Sequence, residues 1–205
     1  MIKAICFDLD GVYFTEDGKK GFHKALVELT GSEEKVVHVL YKSPEMLEYV
    51  TGKMSEEVFW DYVRDYLGLE LSNEELTDLW TKEYKINQRV RNTVHKAKEK
   101  GYLTCVCSNN NPARVRSLQE KFGFLDDFDV KIFSYKISAV KPSIEIFEAL
   151  IKQSNVAPEE IIVSDDVPEK LKGAQELGIN TFVYKNFEQF LAELKKRGVN
   201  LDENS

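Results

Sequence analysis

Seven side chains in this 205-residue sequence have the types and placements that chemistry needs. Asp8 and Asp10 follow the mostly apolar run from Ile2 to Phe7, with Gly11 next. Ser108 and Asn109 close a second apolar run, Lys141 stands before Pro142, and Asp165-Asp166 follow Ile161-Ile162-Val163-Ser164. Carboxylates that converge on one point repel unless a cation joins them. Hard oxygen donors without a His or Cys motif suit Mg²⁺. The histidines His23, His38 and His95 are scattered and offer no transition-metal pattern. Carboxylates with Mg²⁺, one ammonium and one hydroxyl form a set that can neutralise and orient a phosphoryl group.

For these residues to meet, the elements carrying them must share an edge. A short, continuous apolar run suits a buried strand of a parallel sheet. Such runs recur near residues 2–7, 102–108, 130–135, 161–164 and 180–184, with helical patterns at 90–97, 112–122, 143–153, 169–177 and 187–197. Alternation of this kind implies right-handed crossovers and an α/β, Rossmann-like, doubly wound parallel sheet. Ligands of such sheets bind beyond the carboxyl ends of the strands, where all four polar signals fall.

Between the first two strands the chain changes character. Ser32-Glu33-Glu34, Ser55-Glu56-Glu57 and Ser72-Asn73-Glu74-Glu75 read as helix starts, each a capping serine followed by first-turn acids. With the stretch around Leu26 they make about four helices and no strand. This is how an inserted helical domain reads, and the expected division is 15–88 for the insert and 1–14 with 89–205 for the core. Tyr41, Phe59, Trp60, Tyr62 and Tyr66 are expected in the insert's own core. The turn Gly52-Lys53-Met54-Ser55 is the one place where the insert could present a lysine, Lys53, to a ligand.

Composition narrows the function classes. A net charge of -7 argues against a nucleic-acid surface, which needs a basic footprint. No apolar stretch is long enough for a membrane span, and Lys3 and Asp8 interrupt the N-terminal run too early for a signal peptide. The cysteines Cys6, Cys105 and Cys107 are too few for a disulfide framework and are expected as buried small apolar residues in a reducing, cytoplasmic setting. The expected partner is a small phosphorylated metabolite, with no nucleic acid and no membrane, and the expected assembly is a monomer or homodimer.

The four motifs in this order, Asp8-Leu9-Asp10-Gly11-Val12, Ser108-Asn109, Lys141-Pro142 and Ser164-Asp165-Asp166, resemble those of the haloacid dehalogenase (HAD) superfamily. The insert resembles the helical cap of its subfamily I. The resemblance implies a Mg²⁺-dependent phosphatase working through an aspartyl-phosphate on Asp8, with Asp10 as acid and then base. It implies Mg²⁺ on Asp8, the backbone carbonyl of Asp10 and Asp165, with Asp166 in direct or indirect support. Ser108 and the Asn109 backbone would bind phosphoryl oxygens, and Lys141 would pair with Asp8 and the phosphate. Asp10 favours phosphate over halide chemistry, because halide-displacing relatives replace that aspartate. A phosphomutase would use the same residues, a phosphonate hydrolase would need Lys53 as a Schiff-base former, and a non-catalytic binding protein would have no use for the acid/base pair. Two departures stand out. The acids of Thr15-Glu16-Asp17 align poorly with the family pattern, and Lys170 stands where related sequences often carry asparagine.

Overall fold

The computed structural model describes residues 1–15 and 17–201; Glu16 and the end of the polar tail lie outside the described residues. Five parallel strands form one sheet in the order β3-β2-β1-β4-β5. These are β1 (Ala4–Phe7), β2 (Leu103–Ser108), β3 (Val130–Phe133), β4 (Ile161–Asp165) and β5 (Asn180–Val183). β1 is central and buried along its whole length. Ile5 and Phe7 face one half of the core, Ala4 and Cys6 the other, which is why the run is apolar without alternation. All three cysteines are free and buried.

The register positions the site. Phe7 lies opposite Ser164 of β4 and Val106 of β2. The Asp8 N–H then donates to the Ser164 carbonyl at 3.2 Å, so Asp8 leaves the sheet directly beside Asp165. Strand order reverses across β1, which is where an open α/β sheet leaves a crevice.

Helices α6 (Gln88–Glu99), α7 (Pro112–Phe122), the short α8 (Ser134–Ile137), α9 (Ile144–Ser154), α10 (Lys172–Glu176) and α11 (Phe187–Lys196) complete the core. The insert comprises α1 (Asp17–Thr30), α2 (Glu33–Val37), a π-helical turn (His38–Lys42), α3 (Pro44–Val50), α4 (Glu56–Leu67) and α5 (Asn73–Thr81). Sequence spacing misses α3. It is a two-turn helix with Pro44 at its first turn and the Ser43 hydroxyl accepting from the Met46 N–H. Ser55 and Ser72 cap α4 and α5 as expected, the latter in a reciprocal capping box with Glu75.

The chain enters and leaves the insert through two segments that run side by side, joined by an isolated bridge. Phe14 bridges Ile86, the Thr15 N–H donates to Lys85 O and the Asn87 N–H to Tyr13 O. The insert is also pinned to the core on both sides of the crevice. On one side Thr81 bonds Ser117 at 2.8 Å and Arg116 holds Glu56 with two bonds of 2.8 and 3.1 Å. On the other, the Ser134 hydroxyl donates to Val50 O at 2.6 Å. Gly52 passes so close to Tyr135 that a Cβ there would lie 2.2 Å from its carbonyl oxygen.

Candidate active site

Asp8 sits just beyond β1, 2% exposed, with its two oxygens in different situations. Oδ1 accepts from Lys141 Nζ at 2.8 Å. Oδ2 is buried and has no hydrogen-bond partner. An unpartnered carboxylate oxygen is costly in a buried site unless something arrives to use it.

Lys141 is 4% exposed and spends all three donors: on Asp8, on the Cys107 carbonyl at 2.9 Å and on Asp165. Burial alone would lower its pKa, but Asp8 and Asp165 outweigh that and raise it, so it stays cationic. Asp165, fully buried, is correspondingly lowered, since Lys141 and Lys170 overcome the cost of burial. Its oxygens are both engaged: Oδ2 by Lys141, Oδ1 by the Val167 N–H at 2.9 Å. Lys170, standing in place of the family's asparagine, is 3.8 Å from Oδ1.

Asp166 differs. Its Oδ1 has no partner, and burial together with the neighbouring Asp8 charge pushes its pKa up to about 6, against the pull of Lys170. Oxygens of Asp8, Asp165 and Asp166 lie within 4.8 Å of one another. Two unpartnered carboxylate oxygens in an all-oxygen donor set fit a hard divalent cation such as Mg²⁺. Gly11, at φ +80°, belongs to this geometry: a Cβ there would stand 2.6 Å from Asp166 Oδ2.

Ser108, buried, ends β2. The Asn109 side chain takes a job the sequence does not announce. Its carbonyl accepts from the Lys141 N–H at 2.7 Å and its amide donates to Lys141 O at 3.1 Å, so the side chain clips the lysine's own peptide groups. Asn111 caps α7, and Asn110 receives Arg114 Nε at 2.7 Å.

Asp10 brings two partners that spacing and pattern do not reveal. Tyr84, at the return from the insert, donates to Oδ1 at 3.0 Å, and Arg114 of α7 reaches Oδ2 at 3.1 Å. In the sequence Tyr84 reads as one more aromatic on a cap helix, and Arg114 as a polar residue on a surface helix. Arg114 is in fact 6% exposed, the mark of a charge held for a purpose.

A crevice of about 420 Å³ opens over Asp10 and Arg114. The insert walls it with Phe22, Leu40, Met46, Val50 and Trp80, and Lys19 and Lys170 stand at its border. Tyr41 also lines it and is half exposed, so it leaves the insert's core, where it was expected, and stacks on His23 instead. Tyr66 is likewise partly exposed, whereas Phe59 and Trp60 are fully buried. Lys53 is exposed at its turn and lines neither cavity that contains Asp10.

The sequence profile of the haloacid dehalogenase-like hydrolases matches residues 2–178. The chain belongs to that family. It is 28% identical over 200 residues to a D-ribitol-5-phosphate phosphatase of Bacteroides thetaiotaomicron, covering 95% of this chain and 97% of that one. A HAD-family enzyme of the same organism, crystallised with magnesium and inorganic phosphate, superposes with a TM-score of 0.77 at 26% identity, over 93% of this chain and 99% of that chain. An L-2-haloacid dehalogenase of Xanthobacter autotrophicus shares the fold at TM-score 0.64 and 21% identity, over 96% and 83% of the two chains. As a HAD hydrolase the chain has the expected core and helical cap.

Proposed function

We propose that this HAD hydrolase is a Mg²⁺-dependent phosphatase of small phosphomonoesters, sugar or polyol phosphates among them. The observation that carries the reading is the asymmetry of Asp8. Lys141 ties down Oδ1 and leaves Oδ2 buried, unpartnered and beside an all-oxygen donor set. The likeness to a ribitol-phosphate phosphatase along nearly the whole chain supports the same chemistry.

Asp8 attacks phosphorus, the bond from phosphorus to the ester oxygen breaks, and Asp10 gives its proton to the departing alkoxide. Asp10 then takes a proton from water, which attacks the phosphorus of the aspartyl-phosphate. Inorganic phosphate leaves and Asp8 is restored. Lys141 balances charge at Asp8, and Ser108 with the Asn109 backbone would bind the phosphoryl oxygens. Mg²⁺ would be held by Asp8 Oδ2, the Asp10 carbonyl and Asp166, and supplies positive charge against the phosphoryl oxygens. We assign the second carboxylate ligand to Asp166 because Asp165 has both oxygens engaged. The cap, taken as 15–88, excludes bulky substrates, and a crevice of about 420 Å³ suits a small metabolite. Three free thiols fit a reducing, cytoplasmic setting.

The test is release of p-nitrophenol from p-nitrophenyl phosphate with and without Mg²⁺, beside Asp8→Asn. Wild type should turn over only with the metal, and the variant should fall by at least about a thousandfold, the scale of losing an essential nucleophile. Equal rates for the two proteins would sink the reading. A panel of polyol, sugar and nucleoside phosphates then ranks substrates.

A further inference from the structure

Both oxygens of Asp10 are held, and by different parts of the chain. Tyr84 comes from the segment that returns from the cap, Arg114 from core helix α7. The hydroxyl of Tyr84 accepts from Arg114 NH1 at 3.1 Å while donating to Asp10 Oδ1 at 3.0 Å. That acceptance fixes which way the phenolic proton points, since the guanidinium can only donate. Arg114 has its own anchors: Nε on Asn110 Oδ1 at 2.7 Å, NH2 on Asn109 O at 3.3 Å, and the guanidinium carbon 5.4 Å from the centre of the Trp80 ring. Tyr84 is 3% exposed, and α1 lies on its ring so closely that a Cβ at Gly18 would come within 2.2 Å. Neither residue hydrogen-bonds Asp8, Lys141 or Asp165; Arg114 feels the charge of Asp8, but less than that of Asp10, the carboxylate it contacts.

We propose that Arg114 and Tyr84 are positioning residues that aim Asp10, and that the seated cap completes this aim by delivering Tyr84. The inference rests on the phosphatase reading. A carboxylate carried on the loop past β1 has freedom about its side-chain torsions, and a proton donor misplaced by even about 1 Å loses much of its effect. Two donors converging from a core helix and from the segment that returns from the cap remove that freedom. Delivery of the proton then depends on the cap being in place, which couples substrate enclosure to leaving-group protonation.

The experiment exploits leaving groups. p-Nitrophenolate departs without a proton, whereas an alkoxide does not. Wild type, Tyr84→Phe, Arg114→Lys, Asp10→Asn and the double variant Asp10→Asn/Tyr84→Phe are compared with Mg²⁺ saturating. The quantity is kcat/KM across phosphates whose leaving groups rise in basicity from p-nitrophenol to a simple alkanol, with thermal unfolding recorded for each protein. Tyr84→Phe removes a single oxygen and keeps the ring that packs under α1, and Arg114→Lys keeps the charge but loses the fork.

The expected result is a loss that grows along the series, severalfold for p-nitrophenyl phosphate and about 100-fold for an alkyl phosphate, the lower end of what a positioned proton donor contributes. Tyr84→Phe should add nothing further in the Asp10→Asn background, because there is no proton left to aim. Equal loss on all leaving groups, or losses that multiply in the double variant, would overturn the positioning role while leaving the phosphatase intact. Absence of Mg²⁺-dependent turnover in wild type would overturn both.

Discussion

Lys141 has no water to turn to. It lies between Asp8 and Asp165 with all three donors used, so its charge is solvated entirely by the protein. Removing one partner of such a group leaves uncompensated charge behind, typically costing about 3–5 kcal/mol. Lys141→Met should therefore lower the unfolding free energy of the metal-free protein, read from urea titration, by an amount in that range, as well as abolish turnover. An unchanged value would mean the two carboxylates find another way to coexist. At this scale the sequence is legible only in part. Asp8, Lys141 and Asp165 stand out because each ends an apolar run or opens a helix. The clip made by Asn109 on the Lys141 peptide groups does not, because it depends on two loops 32 positions apart meeting side to backbone. Arg114 and Tyr84 are hidden for a similar reason: nothing in a helical pattern tells which polar residue will face inward toward a carboxylate.

At the scale of elements, the loop after β1 is tied to the far side of the core through a buried polar group. The Tyr13 hydroxyl donates to Asp127, which also receives His95 Nε2 at 2.8 Å and lies 2.8 Å from the Arg91 guanidinium. Burial alone would raise the pKa of Asp127, but the bonds from Tyr13, His95 and Arg91 prevail and lower it. The folded protein thus holds this proton less tightly than the unfolded chain does. Its stabilisation is complete above the ordinary aspartate value of about 4 and is lost as pH falls through the folded value. Asp127→Asn should be less stable than wild type at neutral pH and should lose less on acidification, as read by urea midpoints at a series of pH values below 5. Parallel curves for the two proteins would remove Asp127 from the acid response. The elements themselves were readable where caps are explicit, at Ser55 and Ser72. They were less so at α3, where a short helix follows a π-helical turn and the apolar spacing is interrupted.

For the whole molecule, the carboxylate group means that the metal-free protein carries a standing repulsion. A cation that binds only the folded state stabilises it by about 2.7 kcal/mol at a hundred times its dissociation constant. For a chain of this size that corresponds to roughly 5–10 °C in melting temperature. Mg²⁺ should raise the melting temperature of wild type by such an amount, and Asp166→Asn should abolish most of the rise. A full rise in Asp166→Asn would hand the ligand role back to Asp165.

The side-by-side segments at Thr15 and Asn87 have one more consequence. Because the chain departs from the core and returns to it at neighbouring points, the core experiences the cap as a closed loop, and loop closure costs only about 0.6 kcal/mol for each doubling of length. The sheet beneath the site is therefore nearly indifferent to how much chain is spliced in at this junction. A lineage could lengthen, shorten or exchange the cap, and so change which molecules reach Asp8, without renegotiating the sheet that holds it.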